Sequence, residues 1–201
     1  MTRPPLSTIL SGEQQGLQEI WGWYEFQRVL IGEEKSRVLD VPAGSVSLAM
    51  SRYVAKTREE LEEDFAYQIA ERDQVTMLGM LACTEAALRV DFTERVWNKR
   101  KDAVSRKFLT LTEGRPWNPL DWRRRTHMIR LEEDILDTWR NYGADPGIRH
   151  AVGEFKGVFN LRHWLAHGRW WKPRPGRAAE YDPVDVFDIC TQLLQGTVLR
   201  P

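Results

Sequence analysis

QVTMLGMLACTEAAL, residues 74–88, carries one charge, Glu85. Leu78, Leu81, Ala82, Glu85, Leu88 and then Phe92 recur at steps of three or four, the period of one helix face. A helix this apolar belongs at the centre of a bundle. Its most apolar part, Met77–Cys83, is far shorter than the ~20 residues needed to cross a bilayer. The reading therefore starts from a buried central helix.

Upstream, Ser11 and Gln14 have capping-box spacing ahead of Leu17, Ile20, Trp21, Tyr24 and Val29, which predicts a first helix ending near Gly32. A loop is expected to about Ala43-Gly44, since Val38–Val41 is too short to argue a sheet. Thr57 and Glu60 form a second capping box, opening a charged helix through about Arg72. Downstream of the central segment a helix is expected over about 93–112, before the breakers Gly114, Pro116 and Pro119. Pro119 suits a first helical position in a helix running to about Tyr142, with Gly143 as its C-cap. Asp145-Pro146 opens a helix to about Ala166 that Gly168 stops, and Gly168–Tyr181 reads as a loop. Asp182-Pro183 opens the last helix, closed by Gly196. No repeat, low-complexity tract or linker interrupts the pattern. The fold expected is an all-α, up-and-down bundle in one domain, with residues 1–72 an N-terminal helical elaboration and 73–201 the core.

The 201 residues are 42% hydrophobic and 29% charged, the balance of a soluble globular chain. Met1–Pro5 offers no apolar core for a signal peptide. Cys83 and Cys190 lie in apolar helical patterns and form neither a disulfide framework nor a zinc motif. A cytoplasmic protein with no membrane association follows as the expectation. The zero net charge conceals segregation: residues 1–94 carry 9 basic and 16 acidic side chains, 95–130 carry 11 and 3, and 149–177 carry 7 and 1. The cations are 22 Arg to 7 Lys, and Arg is the better fork for phosphate. Two basic blocks can build a phosphate-binding face, or can be solvated helix surfaces paired with the acidic half.

The chemistry concentrates in residues 155–177, FKGVFNLRHWLAHGRWWKPRPGR. The stripe Ile148, Val152, Phe155, Phe159, Arg162, Ala166 sets a guanidinium, which cannot lose its charge, on an apolar face. Burying it unpaired costs several kcal/mol, so it needs a partner or a groove. Glu85, alone on its own apolar face, is the candidate partner. The pair can be a structural salt bridge, or a carboxylate that fixes a working arginine where an anion docks. His167 stands five positions beyond Arg162, about 140° round an unbroken helix; a turn at Ala166–Gly168 would swing it back. It can equally be a C-terminal residue satisfying free carbonyls and the helix dipole. His163 and His167, four apart, could share a metal, but no HExxH pattern or nearby cysteine supports that. Arg169, Trp170, Trp171, Lys172, Arg174 and Arg177 interleave cations with aromatics, as stacking and phosphate neutralisation of single-stranded nucleic acid require. One tryptophan capping the core, with solvated cations around it, is the plainer alternative. Arg123-Arg124-Arg125 leaves a helix-turn-helix reading open without specific support.

Arg162-His163-Trp164-Leu165-Ala166-His167-Gly168 resembles the R-x4–6-H signature of the HEPN-domain superfamily, small all-α bundles that include many metal-independent ribonucleases. The polar residue after the arginine, the Ala-His-Gly ending and the place before the final helix agree with that signature. The likeness covers about a dozen residues, 159–171, with Glu85 a looser match to an acidic position on an earlier helix. It implies an endoribonuclease that needs no cofactor or metal and cuts RNA by 2′-hydroxyl attack, leaving 2′,3′-cyclic phosphate and 5′-hydroxyl ends. His167 would move the proton, Arg162 would hold the phosphate, His163 would position it or polarise the motif, and Glu85 would orient Arg162. The family also implies a homodimer, and a role as a toxin or phage-defence effector with an antitoxin or defence-system partner; a two-fold axis beside the 148–166 stripe would also explain why an arginine interrupts it. Arg169 stands where the branch paired with a nucleotidyltransferase antitoxin usually has tyrosine, so that pairing is not implied. Relatives without catalysis give a second expectation, a nucleic-acid- or nucleotide-binding or dimerisation module.

Overall fold

The computed structural model describes residues 10, 15–40, 53, 55–113, 129–167 and 181–197, and every regular element among them is a helix. Helix α1 spans Leu17–Leu39 and α2 spans Arg58–Trp97; α3 spans Ala103–Glu113. Helix α4 opens as a π-helical turn over Leu131–Leu136 and continues as α-helix over Asp137–Tyr142. Helix α5 is Ile148–Ala166 and α6 is Pro183–Thr197. No helix among the described residues is long and apolar enough to cross a membrane.

Several boundaries move from the expected ones, each for a local reason. The first helix is opened by Gly16, whose N–H donates to Glu19 Oε2 at 2.9 Å; the Ser11–Gln14 box lies outside the described residues. Gly32 does not end it. A glycine in a helix interior costs about 1 kcal/mol, and the packing of Ile31 and Val38 with Leu61 and Phe65 carries the helix past it to Leu39. The segment Val38-Leu39 is accordingly helical rather than part of a loop. The three expected helices of the middle region are two. No proline separates Arg72 from Trp97, and Gly79, packed beside Ile20 of α1, does not interrupt the helix, so α2 runs through 40 residues, about 60 Å at the α-helical rise. It stops at Asn98, and Lys99 takes a left-handed φ of 49°. Asp102 then caps α3 by accepting the Ser105 N–H at 3.0 Å.

Other signals act where they were read. Thr57 Oγ1 accepts the Glu60 N–H at 3.2 Å, and Glu60 Oε2 accepts the Thr57 N–H at 2.7 Å. Asp145 accepts the Gly147 N–H at 2.6 Å ahead of α5. Asp182 and Asp185 cap reciprocally at the start of α6, and that helix ends one residue after Gly196. Pro119 falls outside the described residues.

The Met77–Val96 part of α2 runs through the main core. Leu81 and Leu88 are fully buried, as are Phe108 of α3, Ile135 of α4, Phe155 of α5 and Leu193 of α6. Leu17 and Ile20 of α1 join that core, and Trp21 stacks on Phe187 with ring centroids 4.5 Å apart. A second, smaller cluster gathers Val38, Tyr53 and Phe65, with Ile31 and Leu61 against it. Helix α2 crosses from the N-terminal segment into the main core without a break, and this brings Glu85 opposite the last turns of α5.

Candidate functional site at the Arg162–Glu85 pair

The two charges that interrupt apolar faces meet. Glu85 Oε2 lies 3.1 Å from Arg162 Nη2, joining the middle of α2 to the end of α5. The rest of the α5 stripe explains the approach: Ile148, Val152, Phe155 and Phe159 are buried in the core, which draws the arginine inward with them. Ala166, its last member, is exposed. The guanidinium carbon is 5.8 Å from the Phe159 ring centroid, a cation–π separation. Nε of Arg162 is buried without a hydrogen-bond partner, while 30% of the side chain is exposed. The arginine is thus half sunk, held on one nitrogen and open at its rim.

Arg89 completes the arrangement, and the sequence reading did not single it out. Its Nε and Nη2 both lie 2.9 Å from Glu85 Oε1, and Nη1 donates to the Ile129 carbonyl at 3.3 Å. One carboxylate therefore stands between two guanidinium groups, which leaves an excess positive charge at the mouth of the site. The available signal was its spacing, one helical turn after Glu85.

The histidines sit beside this cluster and face solvent. Helix α5 runs unfrayed through Ala166, and His167 is its C-cap, donating its backbone N–H to the His163 carbonyl at 3.1 Å. Four residues is about 40° on a helix, so His167 shares a face with His163. Their rings stack with centroids 5.5 Å apart and planes 29° apart. His167 itself carries the turn that ends the helix, and its ring lies against His163. Both imidazoles are exposed, and Phe159 lies 6.5 Å from His163, centroid to centroid. No group of three or more His, Cys, Asp or Glu gathers to hold a metal among the described residues. Arg169, Trp170, Trp171, Lys172, Arg174, Arg177 and the Arg123–Arg125 run lie outside the described residues.

A second charged cluster, also missed, lies at the far end of α2. Arg95 Nε is 2.7 and 2.8 Å from the two Asp91 oxygens, and Nη1 reaches Asp102 at 3.1 Å and Ser105 Oγ at 3.2 Å. The guanidinium also lies 4.6 Å from the Trp139 ring centroid. Burial pushes the Asp91 carboxyl up to about 6, outweighing the pull of Arg95. Asp102 is pushed up by its partial burial, but hydrogen bonds from Ser105 and the charge of Arg95 outweigh that and hold it below the usual carboxylate range. This cluster pins the α2–α3 corner against α4. With its oxygens already occupied and its guanidinium covered, it offers no ligand site.

The Arg162 cluster, by contrast, can do what a partly exposed arginine held from behind does well: offer the exposed edge of its guanidinium to an anion without reorganising. Compared with known proteins, the chain matches no family model, no curated protein and no solved structure.

Proposed function

We propose that the end of α5 and the middle of α2 form an RNA-binding and RNA-cleaving site of HEPN type, and that the chain is a metal-independent endoribonuclease. The observation that carries this reading is one carboxylate, Glu85, shared by Arg162 and Arg89, with His163 and His167 on the adjoining turn. The shared carboxylate fixes Arg162 without neutralising the cluster, so the rim keeps affinity for a phosphodiester.

In this reading Arg162 binds the non-bridging oxygens of the scissile phosphate and meets the charge that grows on them in the transition state. The ribose 2′-oxygen attacks phosphorus, the bond to the 5′-oxygen breaks, and the products are a 2′,3′-cyclic phosphate and a 5′-hydroxyl. One proton leaves the 2′-oxygen and one arrives at the departing 5′-oxygen. His167, an imidazole on the solvent side of the helix end, is assigned to proton transfer, and His163 to holding the phosphate or its neighbour. Rotation of the His167 side chain off His163 accompanies substrate binding. Residues 169–177 supply stacking and neutralisation along the strand. A role as toxin or defence effector, with a cognate partner, is consistent with such an activity. The homodimer that the resemblance implies is not needed to account for Arg162, since Glu85 of the same chain supplies its counter-charge.

The stacking of His163 on His167 favours a second reading, in which the site binds nucleic acid without cutting it. Cleavage of mixed-sequence single-stranded RNA and of tRNA in excess EDTA separates the two. The wild type is expected to cut and leave cyclic-phosphate ends. Arg162→Ala and His167→Ala, folded as judged by circular dichroism, should each lose at least about a hundredfold in rate. RNA bound but left intact by folded wild type, with His167→Ala binding equally well, establishes the second reading instead.

A further inference from the structure

Helix α1 is apolar on two faces, and the described residues cover only one of them. On a wheel of 100° per residue, Leu17, Ile20, Tyr24, Ile31 and Val38 fall within about 60° of one another, and these face the rest of the chain. On the opposite side Trp23, Phe26, Val29 and Leu30 are 49%, 59%, 57% and 41% exposed. A contiguous exposed aromatic and aliphatic patch on a helix whose other apolar face is already buried marks an interaction surface. Gly22 sits in the same patch. A Cβ there would meet nothing within 4 Å among the described residues, so none of them requires a glycine at this exposed helical position; it lowers the surface where another backbone can come close.

The charges around the patch choose the occupant. Glu19, Glu33 and Arg37 lie on this same face, all exposed, Glu19 toward one end and Arg37 at the other. We infer that the outer face of α1 is the interface with a second copy of this chain, the two α1 helices packing antiparallel about a two-fold axis near position 28. In that arrangement Phe26 of each copy meets Leu30 of the other. Arg37 of each lies level with Glu19 of the other and one turn from its own Glu33. A parallel pair would set Glu19 on Glu19 and Arg37 on Arg37, and an antiparallel pair centred on Phe26 would set Glu19 against Glu33. Both juxtapose like charges. A two-fold pair also uses one patch on both copies, so a single self-complementary stripe suffices. The inference stands on α1 alone and is independent of the reading given to Arg162.

Light scattering after size exclusion, over a concentration series, tests it. The wild type is expected to be a dimer. Phe26→Glu, with helix content unchanged by circular dichroism, should weaken association at least about 30-fold. Arg37→Glu and Glu19→Lys should each weaken self-association, and an equimolar mixture of the two should re-form a dimer, because every facing pair then has opposite charge. A wild type that stays monomeric throughout overturns the inference and leaves the face to a different protein. A dimer indifferent to Phe26→Glu and Arg37→Glu overturns it by placing the interface elsewhere.

Discussion

Asp91 and Asp102 share one arginine and yet titrate in opposite directions, because only Asp91 is sealed from water. Their contributions to stability therefore oppose each other. A carboxyl whose folded pKa is raised binds its proton more tightly in the native state. Its contribution is fully present below the unfolded value near 3.8 and is lost as pH rises through about 6. Asp102, shifted down, contributes above its unfolded value and loses that contribution as pH falls through its folded pKa. Asp91→Asn should remove the first trend: melting temperatures measured from pH 4 to 7 are expected to lose the part of the wild-type curve that declines toward pH 6. The sequence made Arg162 and Glu85 legible, because each is a lone charge on an apolar face and isolation is visible along a chain. It hid Asp91 and Arg95, because Arg89, Glu94, Lys99, Arg100 and Lys101 surround them and the whole stretch resembles a solvated surface. Burial there is decided by α3 and α4, which the local pattern does not contain.

Among the helices, capping chemistry was read more reliably than helix ends. The Thr57–Glu60 and Asp182 signals act through backbone N–H groups one turn away, so a few residues contain the whole interaction. Gly32 and the 72–93 region misled because tertiary packing, not local preference, decides whether a helix continues. Gly143 was correctly placed at a helix end, but for a different reason from the one that usually selects glycine. Its φ is −63°, open to any residue. What the position requires is space: a Cβ would lie 2.6 Å from the Trp139 carbonyl oxygen and 2.9 Å from Ile148 Cγ2. Ile148 is buried at the start of α5, so it has little room to retreat. Gly143→Ala is therefore expected to destabilise the fold by about 2 kcal/mol in urea unfolding, an overpacking cost. A neutral result would mean that the α4–α5 corner opens more easily than its contacts imply.

At the scale of the whole molecule, the all-α class and the central place of residues 74–88 were accessible from periodicity alone. The distribution of the core was not, since which helix lies against which depends on contacts far apart in sequence. Cys190, for example, lies deep between α6 and α2, where burial pushes its thiol up to about 12. The two unequal clusters strung along α2 have a consequence for how the molecule breathes. Residues 77–96 of that rod are held by the large core, whereas Leu61 and Phe65 are held by the small one with Ile31, Val38 and Tyr53. One continuous helix thus spans two levels of local stability. In native-state hydrogen exchange, amides of residues 61–68 should exchange at least about 100-fold faster than those of residues 80–92, a difference of about 3 kcal/mol in opening free energy. Uniform protection along α2 would show that the rod opens only as a unit; a gradient would make its N-terminal end the place where unfolding begins.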